Sequence, residues 1–443
     1  MLDIKFIREN KEEIKKAIKN KRISLDLDKL LEVDDSRLLF LRQIEDLQAQ
    51  KNKLNKEIEG ADNKNEVIAK GKGIKEKLTE IEPRYKELKK QFDELMVKVP
   101  NLVSSDTPLG KDESDNVEIE KWGESPKIDF EPKDYVQLAK DLDIVDTERG
   151  AKVSGYRGYY LKNEGVMLAM ALMMFTLERM ISKGYKPMIP PTLVKGFALF
   201  GSGYFSGSEY NGEVDEIYQV ATSDKEVSGE KSKEKKFLVG TAEPSLLAYY
   251  ADEVLREEDL PKRICGFSQC YRSEIGSYGK DTKGFYRVHE FMKVEQVILC
   301  GADIEESVKL QDEMVKISKE IHQELGLPYH ILSMCTGEMS PGKYRFFDIE
   351  VWLPGSKRWA ETGSASDFLD WQARRLNVRY KDKEGKNKYV YMLNNTALAT
   401  IRPLIAILEN YQQADGSVKI PKVLRDYCGF KKIEKKEGTR LNN

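Results

Sequence analysis

Between Ser36 and Val99 the chain has few glycines or prolines and is filled with Lys, Glu and Gln, yet its apolar residues return at heptad spacing. In the second half they fall at Ile74, Leu78, Ile81, Tyr85, Leu88, Phe92, Leu95 and Val99, one stripe on one helix face. In the first half Leu41, Ile44, Leu47, Leu54 and Ile58 keep the same spacing, and Lys51 interrupts it once. The intervening "EGADNKNE", with Gly60, Asp62 and Asn63, predicts a turn. Two helices joined by a short turn run antiparallel, and about 30 residues in each gives a reach of roughly 45 Å. Pro83 falls within the second helix and predicts a kink or a late start. Such a hairpin cannot fold back on a core without burying its charges, so it projects into solvent. It is either a spacer or dimerisation coil, or a probe for a large polyanion. For the latter, Arg37, Arg42, Lys51, Lys53, Lys56, Lys64, Lys70, Lys72, Lys75 and Lys77 crowd its distal half, with acids interspersed.

The other segments read as a globular body. A chain of 443 residues allows two or three domains, and a charged fraction of 33% exceeds the usual quarter, as a solvated arm requires. The net charge of -2 confines any nucleic-acid contact to local patches. Five cysteines without a CxxC pair, and three histidines, predict no zinc site and no disulfide framework, which fits a reducing, cytoplasmic setting. The N-terminal "MLDIKFIRENKEEIKKAIKN" is a charged helix rather than a secretion signal. The longest apolar run, Gly165 to Leu177, is short of the ~20 residues that span a bilayer; it predicts a buried helix and no membrane association.

From Val99 to Asp129 the composition is that of a linker. Beyond it, helices are expected at Pro132–Leu142, 165–183 and "ALATIRPLIAILENYQ". Strands are expected at "RICGFSQCYR", "YRVHEFMKVEQVIL", "RFFDIEVWLP" and "RWAETGSASDF". Strands that follow one another without crossover helices predict an antiparallel sheet. Ser223–Lys236 reads as a charged surface insertion, and the lysine-rich tail after Phe430 as disordered. No P-loop and no Rossmann glycine fingerprint occur, so a nucleotide would be bound some other way.

The stretch "YRSEIGSYGKDTKGFYRVHEF", Tyr271 to Phe291, suggests how. Arg272 and Glu274, at i and i+2 of a strand, share one face, and Arg287 and Phe291 share a face of the returning strand. An arginine fork suits phosphate oxygens, a phenyl ring offers a stacking surface, and a glutamate accepts from an exocyclic amine. The loop Gly276–Gly284 could close over the ligand. These features predict a purine nucleotide site; the alternative is a surface hairpin laced with salt bridges.

"YRSE" followed by "RVHEFMKVE" resembles motif 2 of the class II aminoacyl-tRNA synthetases. "NTALATIRPLIAILENYQ" resembles motif 3, and "GYKPMIPPTLVKG", ending its motif at Pro191, resembles motif 1, which builds a dimer interface. The N-terminal arm, "TAEPSL", "FDIEVWLPGSKRW" and "LENYQQADGSVKIPKVLRDY" extend the resemblance, in order and over nearly the whole chain, to seryl-tRNA synthetases of the bacterial and eukaryotic type. The resemblance implies an α+β chain: a coiled-coil arm (about 36–99) within an N-terminal domain 1–105, a linker 106–129, a catalytic domain 130–430 on a mixed, mainly antiparallel sheet flanked by helices, and a tail 431–443.

It also implies a homodimer that joins L-serine to tRNA(Ser), with tRNA(Sec) a candidate second acceptor, using ATP and Mg2+. Arg272, Arg402 and Glu361 are then the catalytic residues. Arg272 meets the α-phosphate, Glu274 the adenine amine and Arg402 the γ-phosphate; Val288 and Phe291 line and stack on the base, and Ser273, Thr362 and Gly363 complete the ATP site. Glu361 and Ser364 would hold Mg2+; Thr241, Ala242, Glu243, Glu295, Thr396 and Arg272 would bind serine. The carboxylate of serine attacks the α-phosphate directly, so the chemistry needs positioning and charge neutralisation rather than a strong base. "ETGSASD", Glu361 to Asp367, departs from the family pattern at Gly363, which replaces a serine, and at Asp367, which replaces an asparagine. Two other readings are a synthetase-derived adaptor without activity, which would have lost some of these residues, and an amino acid:carrier-protein ligase, which would lack the arm and carry zinc-binding cysteines.

Overall fold

The structure is a computed structural model that describes residues 2–57, 64–221, 225, 228–230, 232, 234–275 and 283–436. The turn at 58–63, most of the loop Gly276–Gly284, much of the 223–236 segment and residues 437–443 lie outside the described residues. The chain divides into two units, Met1–Pro100 and Asn101–Asn443.

In the first unit, α1 (Ile4–Glu9) and α2 (Lys11–Asn20) precede the arm helices α3 (Leu27–Glu57) and α4 (Lys64–Val97). The heptad stripe is the contact face: Ile44 and Leu78 are buried, and Leu41, Leu47, Leu54, Ile74, Ile81, Tyr85, Leu88, Phe92 and Leu95 are half-buried. Helix α4 runs straight through the position of Pro83 from Lys64, so that proline does not mark a late start. Its missing N–H removes one ladder bond, in a helix of 34 residues. Arg37 is not part of the distal basic group. Its guanidinium meets the buried Asp34 at 2.5 Å and lies 4.4 Å over the Phe92 ring, while Arg8 reaches the other Asp34 oxygen at 2.7 Å. These bonds fasten α1 to the base of the hairpin.

The second unit is built on one eight-stranded sheet. In chain order its strands are β1 (Val117–Trp122), β2 (Lys186–Met188), β3 (Lys262–Tyr271), β4 (Glu290–Cys300), β5 (Tyr329–Ser333), β6 (Arg345–Leu353), β7 (Arg358–Asp367) and β8 (Tyr391–Ala399). They lie side by side as β1-β5-β6-β7-β8-β4-β3-β2. Every neighbouring pair is antiparallel except β2 with β3. The α-helices of this unit among the described residues are α5 (Tyr135–Asp141), α6 (Thr147–Ser154), α7 (Glu164–Ser182), α8 (Gly196–Ser202), α9 (Glu243–Ala248), α10 (Ile304–Leu325), α11 (Trp371–Leu376), α12 (Ile401–Asn410) and α13 (Arg425–Cys428). The main core joins α7, α10 and α12 to the sheet through Leu172, Phe175, Met314, Ile321, Ile349, Leu404 and Ile407, all essentially inaccessible.

Three sequence expectations are corrected. The 106–129 linker contains β1, which pairs with β5 from Val117↔Ser333 to Trp122↔Tyr329. The helix expected from Ala397 starts at Ile401, because Tyr391–Ala399 is a buried central strand between β7 and β4. The described part of the tail, 431–436, is ordered: Lys432–Ile433 pairs with Val418–Lys419, and the Lys436 ammonium meets Glu164 at 2.7 Å. Helix α7 falls where the helix 165–183 was expected and extends beyond the apolar run. At 19 residues it is long and apolar enough to cross a membrane, but half of that window is buried inside the body.

Candidate active site

Strands β3 and β4 form the hairpin that sets the site. Arg272 follows β3, and its register is fixed by its own N–H to the His289 carbonyl (2.9 Å) and by a bond between its carbonyl and His289 Nδ1 (2.8 Å). Strand β3 ends at Tyr271 and β4 begins at Glu290, so Glu274 and Arg287 lie on the hairpin's ends rather than in the ladder. Glu274 sits at φ +55, left-handed backbone that costs a non-glycine residue about 1–2 kcal/mol. Its carboxylate is held there by two guanidiniums, Arg157 at 3.1 Å and Arg287 at 3.3 Å. Arg157 comes from the turn after α6, and sequence reasoning missed it.

One pocket is lined by Arg272, Glu274, Tyr286, Arg287, Val288, Phe291, Lys293, Glu361, Thr362, Thr396 and Arg402 among others. Arg272 lies 5.3 Å over the Phe291 ring, the stacking surface expected for a base. Arg402, near the start of α12, donates to the Glu361 carbonyl and to its Oε2, both at 2.9 Å. Burial acts to raise the Glu361 carboxyl, but the charge and hydrogen bond of Arg402 outweigh it and hold it below its ordinary value.

Glu361 and Ser364 are three apart, which on a regular strand puts them on opposite faces. A register shift opposite Ile349/Glu350 brings them together: Glu361 pairs with Glu350 and Ser364 with Asp348, two positions of one β6 face. Asp348 is buried, its Oδ1 has no hydrogen-bond partner, and burial with the nearby Glu361 charge pushes its carboxyl well above the usual range. A carboxylate, a hydroxyl and a second carboxyl form an oxygen set that suits a hard cation. Both sequence departures have local reasons. A Cβ on Gly363 would sit 3.2 Å from Ile349 Cδ1 and 3.4 Å from the Thr396 carbonyl. Asp367 lies away from the pocket, accepting from Ser307 at 2.6 Å and from the Leu369 N–H at 2.8 Å.

Lys293, which lines the pocket, is bonded to a second group of acids. Glu295 Oε2 receives Lys293 Nζ at 2.5 Å and Thr241 Oγ1 at 3.0 Å. Lys293 also donates to Thr396 at 3.2 Å, and Thr396 is the cross-strand partner of Glu295. Glu243, at the N-terminus of α9, accepts from Tyr204, Gln372 and Asn394. Ser245 ties α9 to the Pro191 carbonyl at 2.7 Å. Ala242 and Ser273 have other surroundings, and Thr362 lines the pocket with its hydroxyl bonded elsewhere. The Ala242 side chain packs in a core with Leu246 and Leu247. The Thr362 hydroxyl engages His322 at 2.8 Å and the Ile349 carbonyl at 3.3 Å. Ser273 is not among the residues lining the pocket. Lys293 was readable in the sequence as the i−2 neighbour of Glu295 on one strand face, and Asn394 as the i−2 neighbour of Thr396. Tyr204 and Gln372 carried no local signal.

An antiparallel sheet whose motif-2 hairpin presents an arginine, an acid and an aromatic ring, faced by a second arginine at the head of a following helix, defines the class II aminoacyl-tRNA synthetase core. Residues 221–411 match the tRNA synthetase class II core domain (G, H, P, S and T), and residues 1–103 match the seryl-tRNA synthetase N-terminal domain. The serine–tRNA ligase of Treponema denticola is 43% identical over 98% of this chain and 100% of its own. The seryl-tRNA synthetase of Pyrococcus horikoshii, solved with ATP, superposes with a TM-score of 0.87 at 38% identity, over 99% of this chain and 100% of that one. The cytoplasmic serine-tRNA ligase of Naegleria fowleri, solved with AMP, gives 0.83 at 29% identity, over 99% of each chain. The chain belongs to the seryl-tRNA synthetase family.

Proposed function

We propose that this enzyme condenses L-serine with ATP to seryl-adenylate and pyrophosphate, then transfers serine to the 3′ end of tRNA(Ser). The observation that carries this is that Lys293 and Thr396, which line the pocket with Arg272 and Arg402, also connect it to the acids: Lys293 pairs with Glu295, and Thr396 is the cross-strand partner of Glu295. Thr241 donates to the same Glu295 carboxylate, and the Glu295 charge acts on Glu243. The serine ammonium faces the acids, and its hydroxyl has Thr241 and Thr396 as polar partners. A pocket that bonds a hydroxyl disfavours alanine, because its buried polar groups would be left unpaired.

The carboxylate of serine is then directed at the α-phosphate. Arg272 binds that phosphate and Arg402 the γ-phosphate, each neutralising charge as the bond to pyrophosphate breaks. Phe291 and Val288 take the adenine, and Glu274 accepts from its amine. Glu361 and Ser364, with Asp348 behind them, would hold Mg2+, which when bound neutralises phosphate charge. Subunits pair through the Gly184–Pro191 region and the outer face of α7. There Met167, Met170, Met174 and Ile181 recur at helical spacing beside Ile189 and Leu193, all exposed in the single chain.

ATP–pyrophosphate exchange with each of the twenty amino acids tests the reading. Serine is expected to give the fastest exchange. A different best amino acid would overturn it.

A further inference from the structure

Glu243 and Glu295 are buried acids close enough to repel each other, but they are balanced differently. Glu295 has a cation against it, Lys293 at 2.5 Å. Glu243 is held by neutral donors: Tyr204 Oη at 2.9 Å to Oε2, and Gln372 Nε2 at 2.7 Å and Asn394 Nδ2 at 2.8 Å to Oε1. The donors come from the turn after α8, from α11 and from β8, so three elements fix one carboxylate. Glu243 is 4% exposed, Asn394 6% and Gln372 0%. A carboxylate offers about four lone-pair sites; these bonds fill three and leave one on Oε2.

Among the described residues no cation forms a salt bridge to Glu243; Lys293 and Lys343 act on it only through space, and the pull of Lys293 is weaker than the repulsion from Glu295. On β4, Lys293 pairs with Glu295, which repels Glu243. After β3, Arg272 donates to the Gly240 carbonyl and lies over Phe291. On α11, Arg375 donates to the Phe200 carbonyl and stacks 3.6 Å over Trp371. Before β6, Lys343 lies 3.1 Å over the Phe346 ring.

We propose that Tyr204, Gln372 and Asn394 are positioning residues that aim Glu243 at the amino-acid ammonium, and that this ammonium is the countercharge Glu243 lacks, so that amino-acid binding expels a proton from the carboxyl. The inference rests on the serine pocket of the proposed function. The step balances: a neutral carboxyl and an ammonium become a carboxylate–ammonium pair, and the proton passes to solvent. Burial, and then the Glu295 charge, push the empty-pocket carboxyl up to about 7, against the pull of the Gln372 and Tyr204 donors. Below that pH the carboxyl is neutral without substrate and ionised with it. Serine affinity therefore weakens up to roughly tenfold per pH unit on the acid side and levels off above it.

Titration calorimetry of L-serine into the whole enzyme at pH 6.5, in phosphate and in imidazole buffer, reads the proton from the difference in apparent enthalpy. Release of about three-quarters of a proton per site is expected. Serine binding with the same heat in both buffers would overturn the inference while leaving the serine reading intact. Absence of serine heat, with another amino acid binding instead, would overturn the reading beneath it. Tyr204→Phe supplies a second test. Losing a donor to a charged acceptor should move the midpoint of the serine KM–pH profile to higher pH and raise the serine KM at pH 7 roughly tenfold, with the ATP KM unchanged. An unmoved midpoint accompanied by a lower Tm would show that Tyr204 only supports the fold.

Discussion

At the scale of single residues the site depends on where a few charges are fixed. Arg272 has its backbone locked to His289 and its guanidinium set between the Gly240 carbonyl and the Phe291 ring, so its aim exists before any substrate arrives. Arg272→Ala should reduce serine-dependent pyrophosphate exchange by about 10²–10³-fold. The side chain is only part-buried, so the thermal transition should stay close to that of the unmodified enzyme; near-normal exchange would remove Arg272 from the phosphate site. Residues such as Arg272, Glu274, Glu361 and Arg402 were legible because they lie in contiguous motifs whose chemistry can be read from neighbouring positions. The partners of Glu243 were not: Asn394 was readable as a neighbour of Thr396 on one strand face, but not as a partner of Glu243. Tyr204, Gln372 and Asn394 are 39, 129 and 151 residues away from it, and only tertiary packing brings them together. Arg157 reaches Glu274 across 117 residues for the same reason.

At the scale of elements, legibility followed periodicity. The arm helices and α7 repeat over many residues and were read correctly as helices. Strand β8 was absorbed into a helix because "TALAT" runs apolar into "IRPLIAIL" with no glycine or proline between them, and a fully buried strand has no alternation to mark it. Strand β1 was hidden for the opposite reason. It is a short solvent-facing edge strand, set between flanks rich in Pro, Gly, Ser and Asp that read as a linker. Side chains pin that edge to the sheet: Glu118 meets His330 Nδ1 at 2.7 Å, Glu350 meets Nε2 at 2.8 Å, and the imidazole stacks 3.9 Å from Trp359. Burial acts to lower the His330 pKa, but the two carboxylates outweigh it and raise it above its ordinary value. Protonated His330 is therefore favoured by the folded state. Its contribution is complete below the unfolded pKa of about 6.5 and is lost as pH rises through the higher folded value. His330→Phe keeps an aromatic ring against Trp359 and removes the titration. The variant should be less stable than the original at pH 6, and the difference should shrink by pH 8 in thermal melts. A difference independent of pH would show that stacking, not charge, holds β1.

At the scale of the whole molecule, two units divide the work. The second contains the sheet, its core and every residue of the proposed ATP and serine pockets. The first contains the hairpin, whose helices of 31 and 34 residues extend about 45–50 Å at 1.5 Å per residue. Its stripe residues pack helix on helix, while Lys51, Lys53, Lys56, Lys70, Lys72, Lys75 and Lys77 remain exposed. A structure that spends so much length on solvated cations, with no catalytic residue among them, fits a probe for a polyanion better than a spacer. Under the proposed function the polyanion would be tRNA. Deleting Leu41 to Leu95 and joining the ends with a short Gly/Ser linker removes the probe and leaves the sheet whole. Serine-dependent pyrophosphate exchange should persist at near the original rate, whereas aminoacylation of tRNA(Ser) should fall by orders of magnitude. The remaining tRNA affinity should depend less steeply on salt, because each lost phosphate contact takes about one unit from the slope of log K against log salt. Normal charging by the deletion variant would make the arm a spacer. Loss of exchange together with charging would mean that activation itself depends on the arm.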